Sequence, residues 1–163
     1  MEANILIIEA DNFLQEHLSL HVKGTDFRIL KSRQKKDIRQ VIKQRNIDVV
    51  LLSLNDLKKE GLDLIKMIKR MNPAIQVITI NSGEQIYLSI EGMKLGAFDD
   101  FLMPLDLDSL ISGIYAAYQE KKAFEVVKPS LFRRCQDLMV PTSFAEAGQG
   151  DMEKEILDPE REK

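Results

Sequence analysis

Five short apolar runs recur along the first 124 residues: Ile5–Ile8, Phe27–Leu30, Val49–Leu52, Val77–Ile80 and Phe98–Phe101. The first, third and fourth are nearly continuous and rich in Val and Ile, as suits strands buried on both faces of a parallel sheet. The second contains Arg28 and reads as an edge strand; the fifth is the least regular. Helical spacing fills the gaps. Leu14, Leu18 and Val22 recur every four residues after Asp11, a candidate cap. Leu64, Ile65, Ile68 and Met71 form a stripe in 61–71. Leu107, Leu110, Ile111, Ile114 and Tyr118 form another after Asp106. Segments 36–45 and 84–95 complete the set, and Gly24 and Gly96 stand where helices should stop. Five β-α repeats imply a doubly wound α/β fold, a parallel sheet with helices on both faces and right-handed crossovers.

In such sheets the functional crevice lies at the carboxyl ends of the strands. The residues there are Glu9, Ala10 and Asp11, then Ser53, Leu54, Asn55 and Asp56, then Asn81 and Ser82, then Met103 and Pro104. The first turn has no glycine and two acids, which argues against a phosphate-cradling nucleotide or flavin site.

Asp48-Val49-Val50-Leu51-Leu52-Ser53-Leu54-Asn55, with Gly61 eight residues after Ser53, resembles the phosphoacceptor segment of bacterial response-regulator receiver domains. Ile5–Asp11 resembles the family's first strand with its acidic pair. Gly96-Ala97-Phe98-Asp99 followed by Met103-Pro104-Leu105-Asp106 resembles the end of the pattern. The resemblance covers about residues 4–122. It implies a flavodoxin-like (βα)5 three-layer sandwich with strand order 2-1-3-4-5, and a cis Met103–Pro104 bond. In the family an Asp at the end of strand 3 accepts a phosphoryl group. Mg²⁺ is held by that Asp and the acidic pair, and a Lys and a Ser/Thr contact the phosphoryl oxygens. The corresponding positions here are Ser53, Glu9 with Ala10, Met103 and Asn81, and the responsive aromatic position is Asp100. Only Glu9 stays chemically similar. The losses are mutually consistent: without two of the carboxylates a buried ammonium would be unpaired, and an apolar Met avoids that penalty. The resemblance therefore implies a pseudo-receiver, a stand-alone regulator without enzymatic activity, aspartyl phosphorylation, metal or cofactor. One carboxylate is few for Mg²⁺. Ser53 lacks a histidine base at any strand end, and a hydrogen bond to Asn81 or nearby backbone is the expected role of its hydroxyl.

The partner implied is a protein: a histidine kinase, another regulator or a second copy. In the family the surface of the helix before strand 5, strand 5 and the last helix serves docking. That surface corresponds to 84–95 and 106–118, with Tyr87, Tyr115 and Tyr118 as candidate contacts. Arg39 and Lys43 belong to a second candidate surface, a basic stretch of eight Lys/Arg between Arg28 and Arg45 opposed by Asp37. It reads as a solvated helix face or a dock for an acidic partner or the chain's own acidic end. His17 and His21 have metal-ligand spacing, but they flank an apolar stripe and no further ligand motif joins them, so packing is expected.

Charge sharpens the division of the 163-residue chain. Residues 1–124 hold 17 basic and 17 acidic side chains, while 125–163 hold 6 and 9 and carry the whole net charge of −3. A receiver-like domain over 1–124 and a tail over 125–163 are expected. In the tail, Leu131, Phe132, Cys135, Leu138 and Met139 suggest a short amphipathic helix over 130–140 with Ser130 as N-cap. A disordered acidic end is expected beyond it. The acidic balance argues against bulk nucleic-acid binding. No run approaches the roughly 18 apolar residues of a membrane span, the start at Met1–Asn4 lacks the marks of a secretory signal, and the lone Cys135 excludes an internal disulfide. A cytoplasmic location is expected.

Overall fold

The computed structural model describes residues 2–138, with side chains over 2–127. The elements alternate as β1 (Ala3–Ile8), α1 (Phe13–His21), β2 (Phe27–Lys31), α2 (Lys35–Gln44) and β3 (Val49–Ser53). A one-turn α3 (Leu54–Leu57) and α4 (Lys59–Met71) follow, then β4 (Gln76–Asn81), α5 (Ile86–Lys94), β5 (Asp99–Leu102) and α6 (Leu107–Leu138). The five strands form one parallel sheet of order β2-β1-β3-β4-β5, as expected. All residues of β3 and β4 are buried, whereas β2 and β5, at the edges, are half-buried apart from the exposed Arg28 and Leu102.

Strand alternation splits the core in two. Leu6, Ile8, Val50, Leu52 and Val77 face α2, α4 and α5. Ile5, Ile7, Val49, Leu51, Ile78 and Ile80 face α1 and α6. Three layers result. Tyr118 is 8% exposed within the second core and is no surface contact, which corrects its place among the docking candidates. It falls on the stripe of Leu110, Ile114 and Ala117, so helical period decides its fate. Gly24 (φ +88°) and Gly96 (φ +104°) end their helices in the left-handed region, as expected.

Two local features depart from expectation. The turn after β3 contains the α3 turn, which ends at Lys58, a non-glycine residue at φ +50°. The last helix, whose apolar stripe is read from the sequence only as far as Tyr118, runs on to Leu138, through Pro129. Residues 119–128 contain no Gly or Pro, and Pro129 removes one hydrogen bond from a helix already under way. The separate helix start at Ser130 is therefore not observed. The side chains of 130–138, and residues 139–163 with the predicted acidic end, lie outside the described residues.

Candidate functional site

The carboxyl ends of β1, β3 and β4 and the segment after β5 surround an open cleft of about 180 Å³. Glu9, Asp11, Ser53, Asn55, Asp56 and Met103 line it. The alternation of the sheet thus brings together Glu9, Ser53 and Met103, three of the positions singled out in the sequence.

Glu9, just past β1, is 2% exposed. Its Oε2 accepts the Leu14 N–H at 2.9 Å and its Oε1 the Gln15 N–H at 3.1 Å. The carboxylate therefore closes the first turn of α1, where orphan N–H groups and the positive helix end favour an anion. Asp11, the expected cap, accepts instead from the Phe13 N–H at 3.1 Å. The Lys31 ammonium lies 3.7 Å from Glu9 Oε1 and donates to the Asp11 carbonyl at 2.6 Å and to Asn12 Oδ1. Arg33 also donates to Asn12 Oδ1, at 3.0 Å. Burial pushes the Glu9 carboxyl above its ordinary value of 4.5. The two N–H groups and Lys31 oppose that shift, and Asp11 adds to it. Lys31 was counted in the basic stretch between Arg28 and Arg45 and not placed at the crevice. The available signal was the β1–β2 register, which sets the last residue of the edge strand beside Ile7 and hence next to the first turn.

Ser53 ends β3 and is 8% exposed. The expected hydrogen bond of its hydroxyl to Asn81 or to nearby backbone is not found among the described residues. Asn81 is fully buried and turns toward α5, donating to the Gln85 carbonyl at 2.9 Å and to Ser89 Oγ at 3.0 Å, while its Oδ1 accepts from Ser82 N–H at 2.8 Å. Asp56, exposed on α3, accepts the Ala10 N–H at 3.2 Å. Asn55 Oδ1 accepts the Ser82 N–H at 2.7 Å, tying the turn after β3 to the turn after β4. Met103 is half-buried, its N–H donates to the Asn81 carbonyl at 2.8 Å, and the Met103–Pro104 bond is cis. Asp100 lies on β5 opposite Thr79, whose hydroxyl donates to its carboxylate at 2.6 Å. The cleft therefore presents carboxylates, a hydroxyl and a thioether.

His17 stacks on Phe13 with ring centroids 4.2 Å apart and pairs with the Phe13 carbonyl; His21 pairs with the His17 carbonyl. Among the described residues no cluster of three His, Cys, Asp or Glu is arranged to hold a metal. Tyr87 and Tyr115 are exposed, the latter stacked on Phe27 at 4.5 Å. Arg39 and Lys43 are exposed on α2. Beside Tyr87 the sequence reading missed Ile86, Ile90 and Met93, all exposed along α5, and Leu102 on β5. Their i, i+4, i+7 spacing was the available signal.

Residues 5–115 match the response regulator receiver domain family. Transcriptional regulatory protein ZraR of Escherichia coli is 23% identical over 128 residues, covering 78% of this chain and 29% of the relative. Response regulator protein PilR of Pseudomonas aeruginosa is 26% identical over 105 residues, 64% of this chain and 24% of the relative. The chain thus spans under a third of the curated relatives it matches. Among solved structures, the N-terminal signal receiver domain of a Bacteroides fragilis two-component response regulator superposes with a TM-score of 0.66 at 25% identity, covering 72% of this chain and 98% of that one. A CheY-like receiver domain protein of Methanospirillum hungatei superposes with a TM-score of 0.67 at 15% identity, covering 76% and 98%. No described helix is long and apolar enough to cross a membrane.

Proposed function

Because this chain belongs to the response regulator receiver domain family, we propose that it is a receiver whose phosphotransfer site has been dismantled, and that it signals through protein contacts without catalysis. The observation that carries the reading is the fate of the crevice. A hydroxyl, Ser53, ends β3 where the family places its acceptor carboxylate, and Met103 shares the cleft where the family places its lysine. The one retained acid, Glu9, is committed to the α1 N–H groups and Lys31. Magnesium, which the family uses, is usually bound through one or two carboxylates together with phosphate oxygens. Here the buried Glu9 carboxylate is already engaged, and the exposed Asp11 and Asp56 accept the Phe13 and Ala10 N–H groups. The donor set does not fit the ion.

A second reading keeps phosphorylation with an unusual acceptor. Its best candidate is Asp56, whose carboxylate is exposed at the cleft, whereas Glu9 is buried. Incubation with acetyl phosphate and Mg²⁺ followed by intact mass measurement separates the two readings. An unchanged mass is expected. A stoichiometric gain of one phosphoryl group, lost in Asp56→Asn, overturns the proposal. A small-molecule sensor is disfavoured by size, since ligand pockets span about 300–1,000 Å³ and the cleft has about 180 Å³.

The proposed contact is the α5–β5 surface, where Ile86, Ile90, Met93 and Leu102 are exposed beside Tyr87. The occupant we assign is a second copy of the chain, because one apolar stripe turned about a two-fold axis meets itself. Sedimentation should show a concentration-dependent dimer that Ile90→Arg converts to monomer. A wild-type chain that stays monomeric rejects this assignment and leaves a kinase or another regulator as the occupant.

A further inference from the structure

α2 and α4 lie side by side on one face of the sheet, with Ile38 and Ile42 packed among Leu64, Met67 and Ile68. Above that contact they leave an open groove of about 450 Å³. Lys35 and Arg39, one turn apart, line it from α2, and Lys66 and Arg70, one turn apart, line it from α4. Met67, 7% exposed, and the half-buried Met71 contribute its apolar lining. Asp63 is the sole carboxylate among the lining residues. Among the described residues, none of the four cations is within ion-pair distance of a carboxylate.

This arrangement does not serve the fold. Like charges at i, i+4 destabilise a helix by a few tenths of a kcal/mol per pair, and here two such pairs face one groove. Asp63, three residues before Lys66 on α4, offsets only part of that repulsion, and a local feature that still works against folding points to function. Methionine supplies a polarizable, adaptable contact for an apolar side chain. The cations around it select for negative charge.

We propose that the α2–α4 groove binds an acidic segment of a partner protein. That segment sets one apolar side chain (Leu, Met or Phe) against Met67 and Met71, between carboxylates that pair with Lys35, Arg39, Lys66 and Arg70. This surface is separate from the crevice, and it adjoins a second groove between α4 and α5 that shares Asp63 and Lys66 and is lined by Tyr87; its argument from charge does not rest on the function proposed above. Single-stranded nucleic acid is the competing polyanion. It binds best where aromatic rings stack its bases, and no aromatic residue lines this groove.

The test pans a displayed library of random peptides, about a dozen residues long, against the full chain, with affinities measured by fluorescence anisotropy. Enriched peptides are expected to be acidic with an apolar residue between the acids, and to weaken as salt rises. Arg39→Glu/Arg70→Glu should weaken them at least about tenfold, and Lys23→Glu, exposed after α1 and not among the groove-lining residues, by less than about twofold. Serine in place of the peptide's apolar residue should also weaken binding. All substituted positions are exposed, and a melting curve checks that each variant folds. Enrichment of basic or neutral peptides overturns the proposal. So does equal loss in both variants, or displacement of every enriched peptide by a single-stranded oligonucleotide of similar charge.

Discussion

The Lys31 ammonium stands 3.7 Å from the buried Glu9 carboxylate, delivered by the neighbouring edge strand. It also ties down the Asp11 carbonyl and the Asn12 side chain, so one cation gathers the turn between β1 and α1. The turn after β1 thus draws its counter-charge from the chain itself. Glu9 in turn holds the N–H groups of Leu14 and Gln15, which makes the acid a structural part of α1.

The first prediction concerns pH. Burial raises the folded Glu9 carboxyl above 4.5, so the folded chain holds that proton to higher pH than the unfolded chain. The associated stability is full below the unfolded value and is lost as pH rises through the folded one. The stability of wild type relative to Glu9→Gln should therefore fall as pH climbs through the window above 4.5. Lys31→Met removes an opposing charge, so the fall should extend to higher pH, and stability near neutrality should drop by about 1–3 kcal/mol. Urea midpoints at a series of pH values measure both. A pH-independent difference between wild type and Glu9→Gln rejects the argument.

A second prediction concerns the opposite end of the sheet. Lys121 is fully buried, and its ammonium donates to Asp48 Oδ1 at 2.8 Å, to the Ile47 carbonyl at 2.9 Å and to Asn46 Oδ1 at 2.9 Å. Asp48 Oδ2 accepts the Asn4 N–H at 2.7 Å, so the pair joins α6 to the starts of β1 and β3. Removing one partner strands the other in the interior, at a cost of about 3–5 kcal/mol. Lys121→Met and Asp48→Asn should each approach that loss in denaturant unfolding. The double variant should lose clearly less than the two together. Strict additivity would mean the two groups do not act as a pair.

How far the sequence carried the reading depended on the signal each residue leaves. The parallel sheet was legible because β1, β3 and β4 are nearly continuous apolar runs that suit burial on both faces, and its strand order followed from the resemblance to receiver domains. Ser53, Glu9 and Met103 were legible because topology puts strand ends together. The partners of Asn81 were not, since a buried amide chooses among several acceptors and only side-chain placement decides between Ser53 and Ser89. Lys121 was hidden by its charge. Read by period, it falls three residues after Tyr118 and four after Ala117, on the buried stripe, and its long stem reaches the Asp48 carboxylate.

A third prediction follows from close packing between β5 and α6. A Cβ built on Gly113 would lie 2.7 Å from the far edge of the Phe101 ring. Alanine gains about 1 kcal/mol of helix propensity, and overpacking costs about 1–3 kcal/mol. Gly113→Ala should therefore lower stability by about 1 kcal/mol. In a Phe101→Leu background the smaller side chain makes room, and the same change should become neutral or favourable. Thermal melts of the four variants decide it. Destabilisation of the same size in both backgrounds would show that the ring is not the obstacle.

The last prediction tests the crevice by adding back what it lacks. Ser53→Asp/Ala10→Asp places two further carboxylates beside Glu9, Asp11 and Asp56, where like charges repel. Without metal this variant should be less stable than wild type by about 1–2 kcal/mol, in the range typical of point substitutions. With Mg²⁺ at about ten times its dissociation constant, binding to the folded state returns about 1.4 kcal/mol, read as a rise of about 4 °C in Tm. Wild type should show no such rise at the same concentration, because its buried acid is held by Leu14, Gln15 and Lys31. Equal stabilisation of both chains by Mg²⁺ would mean that Glu9, Asp11 and Asp56 already suffice to bind the ion. The phosphotransfer reading through Asp56 would then displace the one proposed.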